Sequence, residues 1–357
     1  MPIMGLFDNI LKGNETLFKN ELALDPSFQP KLVPFRENEN QEIAICIKPL
    51  FEKRSGKNLL VYGSPGIGKT LACKKVLEEL EEKTDDIISI YLNCWKKDSS
   101  YKAVVEICSI IGYKMIQNKK TDELMEIVAQ KLNKKSVVFV LDEVDKLTDF
   151  SFLYSILEDI YRKTIIMITN DKEFLHKLEP RLKSRLIPGL LEFRPYKLSE
   201  IRDILKQRTE YAFYPNIFDK DSFEKIVEKT FELKDIRIGL FLLKESASTA
   251  EGKSSRKILQ EHVNTAITKI QDYQKPMQLD EDESKILELI KLNPEKTTPE
   301  LFELYQKQGG YKTDRTFHRK LKSLEKAKLI EMDEIENMQG KSFKVKPLEV
   351  DKKLTDF

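Results

Sequence analysis

Four stretches of the chain are apolar at nearly every position: Leu59-Leu60-Val61-Tyr62, Ile87 to Leu92, Ser136 to Leu141 and Thr164 to Thr169. Short continuous apolar runs of this kind predict strands covered on both faces, as in a parallel sheet between helices. Helical patterns lie between them, over about 39–53 with apolar Ile43, Ile45, Ile47, Leu50 and Phe51, over 71–80, around Val104, Val105, Ile107 and Ile110, and around Leu124, Ile127, Val128 and Leu132. Pro49 is expected to kink the first of these. Residues 1–30 show no long period and read as an arm laid on the surface. From Tyr196 the pattern turns wholly helical, with helices expected at 198–210, 221–230, 236–250 and 258–274. Beyond Gln274-Lys275-Pro276 come helices over 282–292, 298–308 and 313–328, the last two separated by Gly309-Gly310. Extended segments around Ile330 to Met332 and Ser342 to Val345 then flank a turn at Gln339-Gly340-Lys341, which completes a winged helix-turn-helix. The pattern thus predicts an α/β domain over 1–196, arm included, a small all-α domain over 197–275 and a winged-helix domain over 276–357.

The chemistry concentrates between the first strand and the helix after it. Gly63-Ser64-Pro65-Gly66-Ile67-Gly68-Lys69-Thr70 is a glycine, four free positions and Gly-Lys-Thr, in strand–loop–helix context. Such a loop aims backbone N–H groups and the positive end of a helix dipole at one point, where a polyphosphate can sit. Lys69 would reach the β- and γ-phosphates and the Thr70 hydroxyl would ligate Mg²⁺. Residues 63–70, with Leu71 behind them, are therefore candidates to bind ATP or ADP. The third strand ends in Asp142-Glu143, placed to hold the Mg²⁺ shell and to polarise an attacking water respectively. The fourth ends in Asn170, a polar side chain that could orient that water or touch the γ-phosphate. The segment Val33-Pro34-Phe35-Arg36-Glu37 and its helix either flank the nucleotide base or simply pack. Pro180 to Leu186 carries Arg181, Lys183 and Arg185, a solvated basic helix or an arginine finger reaching a neighbour's nucleotide.

Global charge changes little: a net of +2, with 34% charged residues, means that any affinity for nucleic acid is local. Residues 311–328 supply it, with seven cations (Lys312, Arg315, Arg319, Lys320, Lys322, Lys326 and Lys328) against Asp314 and Glu325. That is the footprint of a DNA-reading helix, with Arg315, Thr316 and Arg319 candidates for base edges and Lys312, Lys320, Gln339, Gly340 and Lys341 further candidates to contact DNA; the alternative is a winged domain used for protein contacts, its basic helix solvated. The four cysteines form no CxxC pair and read as buried free thiols. The chain has no signal peptide and no apolar run of membrane-spanning length, so a soluble intracellular protein without a membrane partner is expected.

In combination, GSPGIGKT, VLDEVDKL, ITND, RLKSRL, KDIRIGLFLLKESASTAE, the upstream VPFRENE and a terminal winged helix resemble the archaeal replication initiators related to the eukaryotic origin recognition complex, which are AAA+ ATPases. The resemblance covers about 25 to 348. It implies that Gly63 to Thr70 are Walker A, that Asp142 and Glu143 are Walker B, and that Asn170 is the first sensor. It also implies that Arg237, in the third helix of the all-α lid, contacts the γ-phosphate, and that Arg185 is the finger in trans, with Arg181 second. A helical insertion that contacts DNA would lie within 96–118, although Gly112 is its single glycine. Lys234 departs from the glycine usual in the second sensor motif. The function implied is an ATP-dependent initiator in the cytoplasm, at the nucleoid. It would bind double-stranded origin DNA, recruit the replicative helicase and act beside other initiators of its kind. An ATP-dependent transcriptional regulator and a mobile-element helper ATPase share the same domains and are the alternatives.

Overall fold

The computed structural model describes residues 16–30, 33–274, 280–327, 329–337 and 340–348. The chain divides into two units, one up to Ala266 and one from Ile267 onward.

The first unit is built on five parallel strands: β1 (Leu59–Tyr62), β2 (Ile87–Asn93), β3 (Ser136–Asp142), β4 (Lys163–Thr169) and β5 (Gly189–Glu192). Their order in the sheet is β2-β3-β4-β1-β5. In β3, Val137 to Leu141 are wholly buried, because helices cover both faces of the sheet. Those helices are α1 (Glu37–Ile47), α2 (Lys69–Lys83), α3 (Ser100–Ile110), α4 (Thr121–Leu132), α5 (Ser151–Asp159), α6 (Phe174–Lys177) and α7 (Pro180–Leu186). The helix expected over 39–53 ends at Ile47 and continues as a 3-10 turn over Lys48–Glu52, with Pro49 in its first turn. Ile43, Ile47 and Leu50 are buried there, whereas Ile45 and Phe51 face outward. The segment 96–118 holds α3, whose Ala103, Val104, Ile107 and Cys108 belong to the main core, while Tyr101, Ile110 and Met115 are exposed. Of these elements, α5, α6 and the edge strand β5, whose Leu190 is mostly exposed, have no counterpart in the sequence pattern. All four cysteines are free and buried.

Four helices follow in the same unit: α8 (Leu198–Ala212), α9 (Lys220–Leu233), α10 (Ile236–Gly252) and α11 (Gln260–Gln274), the last crossing the boundary between the units. Asp219 caps α9 by accepting from Ser222 N at 2.8 Å, and Asp235 caps α10 by accepting from Arg237 N at 2.8 Å. Lys234, between them, takes the left-handed conformation at φ 55°, which explains why a glycine suits this position. The described part of the arm is more than a surface strip. Ala23 and Leu24 are buried, Lys19 and Asn20 donate to Ala212 O at 2.8 and 3.0 Å, and the Phe18 ring lies 5.1 Å from that of Phe213.

The second unit contains α12 (Glu281–Leu292), α13 (Thr298–Lys307) and α14 (Asp314–Lys326), then an antiparallel pair, β6 (Ile330–Asn337) and β7 (Gly340–Pro347). Its core gathers Ile286, Leu289, Ile290, Leu301, Tyr305, Phe317, Leu321, Leu324, Ile330 and Val345. This is the three-helix and hairpin arrangement of a winged helix. Among the described residues, no helix is long and apolar enough to cross a membrane.

Candidate nucleotide-binding site

The loop between β1 and α2 opens a cavity of about 270 Å³, close to the lower end of the ~300–1,000 Å³ usual for small-molecule sites. The helix begins at Lys69 without a side-chain cap, so its first N–H groups point free into the cavity. Gly68 sits at φ 90°, a conformation that costs glycine little, and a Cβ there would meet the Tyr196 hydroxyl at 2.8 Å. Pro65 to Leu71 line the cavity together with Asp142, Glu143, Asn170 and Arg237. Gly63 and Ser64 do not line it; their carbonyls accept from Lys69 Nζ at 2.9 and 2.8 Å.

Lys69 is the electrostatic centre. Its Nζ also donates to Asn170 Oδ1 at 2.7 Å, and burial pulls its ammonium down to about 8, opposed by Asp142 and reinforced by Arg237. A phosphate would give this buried cation the counter-charge that the protein alone does not fully supply. Beside it, Thr70 Oγ1 donates to Asp142 Oδ2 at 2.8 Å. The same carboxylate oxygen accepts from the Tyr91 hydroxyl at 2.7 Å, so two hydroxyls fix the carboxylate, and among the described residues none donates to Oδ1. Asn93, two residues further along β2, donates to Glu143 Oε2 at 3.4 Å. Glu143 occupies the left-handed region at φ 56°, and burial, with Asp142 adding to it, raises its carboxyl above the ordinary range.

A hydroxyl and a carboxylate 2.8 Å apart at a helix N-terminus are donors suited to Mg²⁺, which takes few protein ligands and completes its octahedron with phosphate oxygens and water. Among the described residues, no cluster of three or more His, Cys, Asp or Glu forms a separate metal cage.

The opposite end of the cavity is apolar, and of the segment expected to flank the base it takes Val33 and Pro34. Pro26 and Pro30 of the arm, with Val33 and Pro34 just after it, share this end with Ile204 and Leu240, and Ser27, Gln29 and Gln207 supply polar edges. Arg208 holds the arm in place through Ala23 O at 3.1 Å and Phe28 O at 3.2 Å. A flat heteroaromatic base suits such walls. The expectation for Phe35 and Arg36 needs correction, since neither lines the cavity. Arg36 is wholly buried behind the loop. Its guanidinium lies 4.0 Å from the ring centre of Tyr196 and 5.0 Å from that of Phe193, pairs with Glu39 at 2.7 Å, and donates to Ile67 O and Arg194 O at 2.9 and 2.8 Å. It braces the loop from the rear, and the left-handed turn at Phe35, φ 65°, leads the chain there.

On α10, Arg237 is held by Asp235, Nη2 donating to Oδ2 at 2.6 Å and Nε to both oxygens. On α7, Arg185 does not line this cavity; it pairs with Glu158 at 2.7 Å and shares the Tyr154 ring with Arg181.

In the second unit, Phe317, Leu321 and Leu324 bury one face of α14, which leaves Arg315, Arg319, Lys322 and Lys326 exposed in a stripe along the other. Among the described residues none of the four has a carboxylate partner. Lys312 and Lys320 differ: Lys312 lies 3.5 Å from Asp282, and Lys320 pairs with both Asp280 and Glu283. Both are tied to the unit's own acids and stand apart from that stripe as DNA-contact candidates. Thr316 shares a hydrogen bond with Thr313 at 3.1 Å. Gln339 and Lys328 lie outside the described residues, as do the side-chain contacts of Gly340 and Lys341.

Comparison with known proteins agrees with this geometry. Residues 53–178 match an AAA domain and residues 202–268 a Cdc6 AAA+ ATPase-type lid domain. The chain is 27% identical over 340 residues to an ORC1-type DNA replication protein of Methanothermobacter thermautotrophicus, covering 90% of this chain and 89% of that one. It is 32% identical over 286 residues to that of Pyrococcus horikoshii, covering 74% and 68%. The fold superposes on the Aeropyrum pernix ORC1 protein solved in complex with DNA, with a TM-score of 0.67, 25% identity and coverage of 92% and 93%. It also superposes on the Aeropyrum pernix ORC2 protein in its ADPNP–ADP complexes, at a TM-score of 0.65, 19% identity and coverage of 94% and 96%.

Proposed function

The chain belongs to the ORC1-type DNA replication proteins, and on that footing we propose how it works as an ATP-dependent initiator that binds double-stranded origin DNA. The observation that carries the reading is the convergence on one cavity of Lys69, Thr70, Asp142, Glu143 and Asn170 with Arg237 from the helices that follow the sheet. ATP would lie with its base between the arm and α8 and its phosphates on the loop. Thr70 and Asp142 would hold Mg²⁺, which when bound neutralises phosphate charge. Glu143 would polarise the attacking water and Asn170 orient it, while Arg237 would touch the γ-phosphate, so that the lid responds to which nucleotide is present. Arg185 would serve a neighbouring initiator's nucleotide.

Residues 1–196, 197–275 and 276–357 are the base, lid and winged-helix domains in this reading. Arg315, Arg319, Lys322 and Lys326 would follow the DNA backbone, with Arg315, Thr316 and Arg319 nearest to base edges. The replicative helicase and other initiators of the family are the partners, and the nucleoid is the place of action. The test is selection of fragments from the host's own genomic DNA by the purified protein at about 150 mM salt, where weak non-specific binding is suppressed. One or a few loci beside a replication start would support the initiator. Enrichment of promoters alone would turn the reading toward transcriptional control, and no enrichment would remove DNA-site recognition.

A further inference from the structure

Asp235 has more to do than cap α10. It is buried, 8% exposed, and its carboxylate lies against the nucleotide loop: a Cβ added at Gly66 would meet Asp235 Oδ1 at 1.8 Å. Next to it, Ile236 N–H donates to Gly66 O at 3.2 Å. The start of α10 is therefore seated on the tip of the loop, and Asp235 is the side chain at the seat. From there it grips the Nε and Nη2 edge of Arg237 through three hydrogen bonds of 2.6–3.1 Å. A guanidinium has five N–H donors in a rigid plane, so a carboxylate on the Nε edge leaves Nη1 as the free end. Arg237 is close enough to Lys69 to lower that ammonium's affinity for its proton, and close enough to Glu143 to be favoured by its carboxylate.

We infer that Asp235 is a positioning residue: it orients Arg237 so that Nη1 meets the γ-phosphate, and thereby sets the ratio of ATP affinity to ADP affinity. The inference rests on the proposed contact between Arg237 and the γ-phosphate. The rival role on the same geometry is competition, in which the carboxylate withholds Arg237 from the phosphate. The burial of Asp235 and its fit against Gly66 favour orientation, because the acid is anchored to the loop that holds the phosphates.

The experiment measures dissociation constants of the full chain for ADP and for the β,γ-imido analogue of ATP, both with Mg²⁺, in the wild type, Asp235→Asn, Arg237→Ala and the double variant. Asparagine caps helices as well as aspartate does, so α10 keeps its start; should Asp235→Asn fail to fold, Asp235→Ser, which also caps, takes its place. Orientation predicts that Arg237→Ala abolishes the preference for the γ-phosphate, that Asp235→Asn lowers it about tenfold, the worth of one charge-assisted hydrogen bond, and that the double variant falls no further than Arg237→Ala. A merely structural acid would weaken both nucleotides alike and leave their ratio unchanged, which would overturn the inference. A preference that rises in Asp235→Asn would show competition and overturn it too. If Arg237→Ala itself keeps the preference, the contact between Arg237 and the γ-phosphate is what fails.

Discussion

Binding of nucleotide should carry a proton with it above neutral pH. In the free protein, burial holds Lys69 at about 8, against an ordinary lysine value of 10.5. Adding two or three phosphate charges within reach of its Nζ reverses the cause of that shift and returns the ammonium to its ordinary range. A group whose pKa rises on binding takes up a proton, and affinity then falls as pH climbs past the free-state value. The charged fraction of Lys69 in the free protein is about 0.9 at pH 7, about 0.5 at pH 8 and about 0.1 at pH 9 by simple titration. Binding of metal-free ADP should therefore weaken about tenfold between pH 7 and pH 9, with uptake of about half a proton at pH 8. Phosphates of the nucleotide titrate near 6 and are already ionised across this window. Cys73, Cys94 and Tyr91 are pushed upward by burial, Cys94 to about 12, and stay protonated throughout. Calorimetry in two buffers of different ionisation enthalpy counts the protons directly. Lys69→Arg, which cannot lose its charge, should show none. Affinity flat within twofold from pH 7 to pH 9, with no proton uptake, would refute the reasoning.

Three further outcomes are expected. Glu143→Gln should keep nucleotide affinity while turnover falls at least about a hundredfold, read from phosphate release, because only the water-polarising carboxylate is lost. Tyr91→Phe removes one of the two hydroxyls on Asp142 Oδ2, so the Mg²⁺ concentration needed for half-maximal hydrolysis should rise about tenfold with metal-free ADP binding unchanged. An unaltered Mg²⁺ requirement would mean that the hydroxyl does nothing for the metal. Lys234→Gly relieves a left-handed residue at the end of α9 and should raise stability by about 1 kcal/mol in urea denaturation; no gain would mean that the lysine is unstrained there.

What was readable from the chain alone was local. Gly63 to Thr70, Asp142 with Glu143, and the buried strands are each written within a few consecutive residues, where spacing carries the meaning. Arg36 looked like a base-flanking residue because its partners, Ile67 O and Arg194 O, are 31 and 158 positions away and are brought together only by the fold. Tyr91 reads as an ordinary strand residue until β2 pairs with β3 and sets it 2.7 Å from Asp142. Of the base pocket's walls, Val33 and Pro34 lie in the segment expected to flank the base, whereas Pro26 and Pro30 were missed because the arm lacks a period of its own and gains structure from α8. β5 is four residues long and largely exposed, without the apolar run that marks β1, β3 and β4. The basic run on α14 was legible as charge, but the division between the free stripe and the tied Lys312 and Lys320 depended on acids at the cap and in the first turn of α12.

The sheet order has a consequence for synthesis. The strand that carries the nucleotide loop, β1, pairs with β4 and β5 and with neither β2 nor β3, so its first hydrogen-bonded neighbour is some hundred residues downstream. On a ribosome, which delivers the N-terminal part of a domain first, the loop emerges early but has no strand beside it until about residue 163 and no rear brace until Arg194 arrives to meet Arg36. Nucleotide recognition is thus a late event in the making of this protein. A nascent chain halted before β4 would carry the complete glycine-lysine-threonine motif without either strand that aligns it.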